Sequence, residues 1–224
     1  MKKILALLLA VLCIFSVVSC GKGDDNTDEP TGATAEQVAA IANVINSSAP
    51  TTIVTVTEYT YGEDVYKGRF ETEIDKNPVK SIFTFSYTRP ARIEDAADSN
   101  VVSVAGKVYY NNGQVSVNEG DTWVATGSSY MELALSLDAN KLKSFTVSED
   151  GGTLTAVATP ENAERILGTA VSAEGDVTIT IVTNSVYLYN VRVEYTAKGT
   201  GASVVVDTSY DYRVHTLVFP EAEQ

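Results

Sequence analysis

The sequence predicts an α+β protein that is mainly β: one large curved antiparallel sheet of about ten or eleven strands, with helices against one face. Three observations predict it. From Thr51 onward, apolar and aromatic residues alternate with polar ones at a period of two. The alternating runs follow one another across short turn signals such as Asn111-Asn112-Gly113 and Asp150-Gly151-Gly152, so neighbours in sequence pair antiparallel. Helical signals interrupt the strands only early and midway, giving an N-terminal helix and two helical insertions. No repeat of about 20–50 residues is visible, which excludes a propeller or solenoid.

The chain has 224 residues and opens with Met1, Lys2 and Lys3, followed by an apolar run from Ile4 to Val18 broken only by Ser16. The run is too short for a spanning helix, which needs about 20 residues, and has the layout of a secretory signal. It ends in Val17-Val18-Ser19-Cys20, which resembles the lipobox read by the lipoprotein signal peptidase. That resemblance implies cleavage between Ser19 and Cys20 and acyl chains on the Cys20 thiol. Cys13, the second cysteine, lies inside the run and would leave with it, so Cys20 would have no disulfide partner. Two or three acyl chains make a stable anchor, whereas one binds only reversibly.

Residues 1–19 are therefore expected to be a signal peptide and residues 20–33 a lipidated cysteine with a disordered acidic tether. The tether contains Asp24, Asp25, Asp28 and Glu29 and has too little apolar surface to form a core. Residues 34–220 form a single expected domain and residues 221–224 a tail. The formal net charge is −13, and losing Lys2 and Lys3 takes it to −15. Such a surface disfavours nucleic acid and anionic lipid surfaces, both of which require basic patches. It suits solubility outside the cytoplasm. No cofactor is expected, and the chain is expected to be a monomer.

Within the domain, Thr34 and Gln37 form a capping-box pair, and Val38, Ile41, Ala42 and Ile45 make one apolar helical stripe ending before Pro50. Ile53, Thr55, Thr57, Tyr59 and Tyr61 alternate along the first strand. Strands follow over Tyr66 to Ile74 and Lys80 to Arg89, with Phe83, Phe85 and Tyr87 on one face. Val101 to Tyr110 and Gln114 to Asn118 form a hairpin, and a short strand surrounds Trp123. The 130–142 segment, with Met131, Leu133, Ala134, Leu135 and Leu137, is the first helical insertion. Phe145 to Ser148 and Thr153 to Thr159 form the next hairpin. In the second insertion Thr159 caps, Pro160 takes the first helical position, Ala163, Ile166 and Leu167 face inward, and Gly168 stops the helix. Val177, Ile179 and Ile181 pair with Tyr187, Tyr189, Val191, Val193 and Tyr195. Val204 to Tyr212 and Val214 to Phe219 close the series.

This order, with Ala105-Gly106-Lys107-Val108-Tyr109-Tyr110, Gly120-Asp121-Thr122-Trp123-Val124 and Thr159-Pro160-Glu161-Asn162 as landmarks, resembles the LolA/LppX-like lipoproteins and lipoprotein carriers over about residues 34–220. The resemblance implies an incomplete barrel whose helices lie in the concave mouth, and a cavity for acyl chains or lipidated partners. It transfers no site residues.

Catalytic chemistry finds little support. His215 is the one histidine, and zinc sites need several His or Cys ligands. Asp24 to Glu29 lacks the glycine and final acid of a calcium loop. Gly199-Thr200-Gly201 lacks the third glycine of a dinucleotide fingerprint. The carboxylates Glu71, Glu73, Asp75, Glu132, Glu194, Asp207 and Asp211 carry no pairing signal in so acidic a chain. The Tyr59/Tyr61, Tyr187/Tyr189 and Tyr210/Tyr212 pairs are candidates to line an amphipathic cavity, although aromatics are also simply favoured in strands. The expected function is non-enzymatic: an anchored module holding an apolar or lipidic ligand, or a lipidated protein. The alternative is a surface lipoprotein with a solid core that binds a protein or glycan.

Overall fold

Alternation at period two builds a single open sheet of 11 strands in this computed structural model, ordered β6-β5-β4-β3-β2-β1-β11-β10-β9-β8-β7. The structure describes residues 34–76, 79–91, 101–111, 114–119, 122–127, 135–214 and 216–217. Ser19, Cys20, the tether, Glu132, His215 and the tail lie outside the described residues, as do the turn positions 77–78, 112–113 and 120–121.

The strands are β1 (Thr52–Tyr61), β2 (Asp64–Lys76), β3 (Val79–Pro90), β4 (Val101–Asn111), β5 (Gln114–Glu119) and β6 (Thr122–Gly127), then β7 (Ser144–Val147), β8 (Thr153–Ala158), β9 (Val177–Thr183), β10 (Leu188–Thr196) and β11 (Ser203–Asp211). Each set is a meander in which consecutive strands pair. The two meanders join where the first strand meets the last, from Thr52↔Asp211 to Thr60↔Ser203. The sheet curves about a helix-bearing inner face and does not close.

Helix α1 (Ala35–Ser47) starts where the capping box predicts: the Gln37 amide donates to Thr34 Oγ1, and the Thr34 amide donates to Gln37 Oε1 at 2.8 Å. Val38, Ile41 and Ile45 form its buried stripe. Helix α2 (Pro160–Leu167) is capped by Thr159 and ends at Gly168, whose φ of 65° is a left-handed conformation that glycine adopts without steric cost.

Both helices seal one core with the inner faces of β8 to β10. Leu154, Ala158, Ala163, Ile166, Val177 and Ile181 are fully buried there, with Tyr210 of β11 at the margin. Each large aliphatic side chain so buried contributes about 1.5–3 kcal/mol. The core reaches Ile53 on β1, which packs against it partly buried.

Three expectations are corrected. Of the first insertion, residues 130–134 lie outside the described set, and the rest holds only a 3-10 turn, Ala139–Lys141. Leu135 and Leu137 are spaced by two, which suits extended chain, and the Ser136 amide donates to the Ile166 carbonyl at the end of α2. Residues 214, 216 and 217 belong to no strand. The chain leaves the sheet where the Thr51 hydroxyl donates to the Arg213 carbonyl, and Val214 is 91% exposed. Finally, a bulge between Leu188 and Asn190 resets the alternation of β10. Leu188, Val191 and Val193 point into the core, while Tyr187 and Tyr189, expected on the same face as Val191, are exposed.

Candidate functional site

The inner face changes character at β1. Direct cross-strand partners share a face, so the register carries that face from Ile53, Thr55, Thr57 and Tyr59 on β1 to Tyr66, Gly68, Phe70, Thr72 and Ile74 on β2. It continues through Ser81, Phe83, Phe85 and Tyr87 on β3 to Val104, Gly106, Val108 and Tyr110 on β4. The other face holds Glu58, Lys67, Arg69, Glu71 and Lys107, with Lys67–Glu58 and Arg69–Glu71 ion pairs at 2.9 Å. Along β4 this outer set is mostly exposed and the inner set half-buried, the pattern of a sheet solvated on one side.

Phe70, Phe83, Phe85 and Tyr87 form a continuous aromatic ladder. Phe70 lies 6.3 Å from both Phe83 and Tyr87 in stacked orientations, Phe83 lies 5.7 Å from Phe85, and Phe85 lies 6.3 Å from Tyr87. These separations fall within the favourable range for aromatic pairs, about 4.5–7 Å. All four rings are half-buried, and none belongs to the core that α1 and α2 seal.

Two strand glycines form the floor. A β-carbon on Gly106 would lie 2.6 Å from Phe85 Cζ, and one on Gly68 would lie 2.6 Å from Thr57 Oγ1 and 2.8 Å from Phe70 Cε2. The Phe85 and Phe70 rings thus fold down over backbone that any other residue would fill, an aromatic covering of strand glycine.

Threonines border the ladder. Thr55 stands opposite Phe70, Thr72 opposite Phe83, and Thr57 opposite Gly68. The Thr55 and Thr208 hydroxyls bond to each other at 3.0 Å across the junction of the meanders. Thr57 and Thr72 are half-buried residues whose hydroxyls make no hydrogen bond to any described residue.

The tyrosine pairs lie at two opposite ends of the strands. Tyr59 donates to Thr200 Oγ1 at 2.7 Å and contacts Tyr66, while Tyr61, at the end of β1, is 55% exposed. At the other end Tyr210 is a core residue whose phenol is pushed far up by burial. Tyr212 follows β11, packs against Tyr187 at 4.4 Å and donates to the Leu188 carbonyl at 2.7 Å, with burial again raising its phenol. Tyr189 accepts from Asn184 Nδ2 at 2.8 Å. None of these six residues belongs to the aromatic ladder.

Glu71, Glu73 and Asp75 line the outer face, as do Glu194 and Asp207, which flank Arg192 at 2.9 and 3.5 Å. Asp211 pairs with Arg213, whose hydrogen bonds hold its carboxyl down at about 2. Among the described residues, no three His, Cys, Asp or Glu side chains are placed to hold a metal, and no helix is long and apolar enough to cross a membrane.

No family model matches the sequence, and no curated protein matches it. Among solved structures, the chain is similar to LprF from Mycobacterium bovis, with 11% identity over 82% of this chain and 97% of that one and a TM-score of 0.43. It is also similar to the Mycobacterium tuberculosis lipoprotein LppX, with 14% identity over 82% and 99% and a TM-score of 0.39. A DUF1329 family protein from Desulfovibrio piger aligns at 12% identity over 84% and 96%, with a TM-score of 0.29.

Proposed function

We propose that this protein is a lipid-anchored extracytoplasmic binding module. It holds an apolar or lipidic ligand, or the acyl part of a lipidated protein, against the aromatic half of its inner face, and it catalyses no reaction. The observation that carries the reading is the half-buried ladder of Phe70, Phe83, Phe85 and Tyr87, which lies outside the core sealed by the helices. Ligand sites are mostly apolar and aromatic with a few placed polar groups, and the ladder with its threonine border has that composition. The signal, the lipobox and the acidic tether supply the location: acyl chains on Cys20 anchor the domain and residues 21–33 space it from the bilayer.

Native mass spectrometry of protein purified from its own membrane tests the binding. Co-purifying lipid that is lost in Phe85→Ala supports the reading, and protein that arrives empty at every mild detergent condition refutes it. For the anchor, Cys20→Ser abolishes lipid labelling and membrane retention; retention with unchanged labelling would refute it.

The second reading is an interaction lipoprotein that binds a protein or glycan partner. Val186, Tyr187 and Tyr189 favour it, since they are 55%, 41% and 44% exposed and lie at the β9–β10 turn and the start of β10.

A further inference from the structure

We infer that the ligand of the aromatic face is an uncharged amphiphile, whose apolar body lies on the phenylalanines and whose neutral hydrogen-bonding group meets Thr57 and Thr72. This rests on the reading of the face as a binding site and adds its chemical selectivity.

Charge is sorted between the two faces. Inner positions from Ile53 to Tyr59, Tyr66 to Ile74, Ser81 to Tyr87 and Val102 to Tyr110 hold no Asp, Glu, Lys or Arg. The inner positions just beyond these ranges are charged: Asp64 and Lys76 at the two ends of β2, and Arg89 at the end of β3, whose Nη1 donates to the Pro90 carbonyl at 3.1 Å. Between those ends, a carboxylate or ammonium drawn onto the ladder would lose water and find no opposite charge among the described inner residues, which costs several kcal/mol. A hydroxyl or ester group loses far less and is compensated by a single good hydrogen bond.

The face offers that hydrogen bond. Of the threonines around Phe70, Thr55 is bonded to Thr208, while Thr57 and Thr72 are not bonded to any described residue. Each hydroxyl can donate and accept, so it matches an alcohol, an ester or an amide. Both sit beside the rings, Thr57 Oγ1 over Gly68 and Thr72 opposite Phe83. A ligand lying along the ladder from Tyr87 toward Phe83 therefore brings its polar end to a hydroxyl without leaving the aromatic surface.

The test is competition for the full chain, delipidated and held in amphipol, among monooleoylglycerol, oleate and oleylamine at pH 8, read as bound mass by native mass spectrometry. The three probes share one eighteen-carbon monounsaturated chain and differ in head group. Monooleoylglycerol is expected to exceed each charged probe by about tenfold or more, the equivalent of about 1.4 kcal/mol. Thr57→Val with Thr72→Val keeps side-chain shape and is expected to weaken monooleoylglycerol binding severalfold while leaving the melting temperature near wild type. Equal or stronger binding of oleate or oleylamine overturns the inference and leaves the binding module intact. Unchanged monooleoylglycerol binding in the double variant, which retains its fold by circular dichroism, also overturns it. Failure of all three probes to bind overturns both the inference and the module.

Discussion

The two meanders share one continuous inner face and treat it differently. From β8 to β10 the face is mostly aliphatic, and α1 and α2 cover it, with Leu154 and Ile181 at 0% exposure. From β2 to β4 the face is aromatic, its rings half-buried and lying over glycine backbone. Branched aliphatic side chains interlock with helices at close packing and gain the full transfer energy of burial. Flat rings on a glycine floor gain part of that energy and keep a face available to another molecule. Stability is thus concentrated in one meander, and the proposed ligand surface lies in the other.

Substitutions separate the two roles. Ile181→Ala in the sealed meander is expected to cost about 2–5 kcal/mol in urea unfolding, because a fully buried site leaves a cavity. Phe85→Ala is expected to cost about 1–2 kcal/mol, in proportion to its partial burial, while removing ligand binding. An equal loss of stability for the two would mean that the aromatic half is core. Thr34→Ala removes the cap of α1 and is expected to cost about 1 kcal/mol without touching binding. Gly106→Ala adds a β-carbon where Phe85 Cζ now lies. It is expected to change stability by less than about 1 kcal/mol, because strand glycine is itself unfavourable, while displacing the ring and weakening ligand capture severalfold in titration. The smallest effect concerns Asp211, whose folded value near 2 lies below the unfolded carboxylate value of about 3.9. Its contribution is complete above the unfolded value and fades as pH falls through the folded one, so Asp211→Asn should flatten a slight loss of stability between about pH 4 and 2, followed by thermal melts.

Local chemistry made part of this arrangement legible in sequence. The Thr34–Gln37 box, the Thr159-Pro160 start and the Gly168 stop each involve residues within a few positions of one another, and all three lie where expected. The same holds for Phe83, Phe85 and Tyr87, which share a face because alternation is a property of one strand. The site needed more than alternation. Phe70, Thr57 and the two glycines meet the ladder only through cross-strand register, which no single strand encodes. Glycines inside otherwise aromatic or β-branched strands were the available signal, since an unfilled position in a sheet invites a neighbouring ring. The β10 bulge escaped because one extra residue inverts every side chain beyond it, and the tyrosines expected to continue the inner face turned outward. The central β1–β11 pairing escaped because the two segments lie far apart in the chain.

That pairing has a consequence for how the molecule is made. Nine residue pairs at the middle of the sheet join the first strand to the last, and α1, which precedes β1, packs on strands β8 to β10. The first meander and its helix therefore wait for most of the chain before either finds its partner. At a synthesis rate of about 5–20 residues per second the wait is roughly ten seconds or longer, and loop closure over such a span is intrinsically slow. The sheet cannot be completed until its last strand has been made, so the junction of the two meanders is the last part of the molecule that synthesis allows to form.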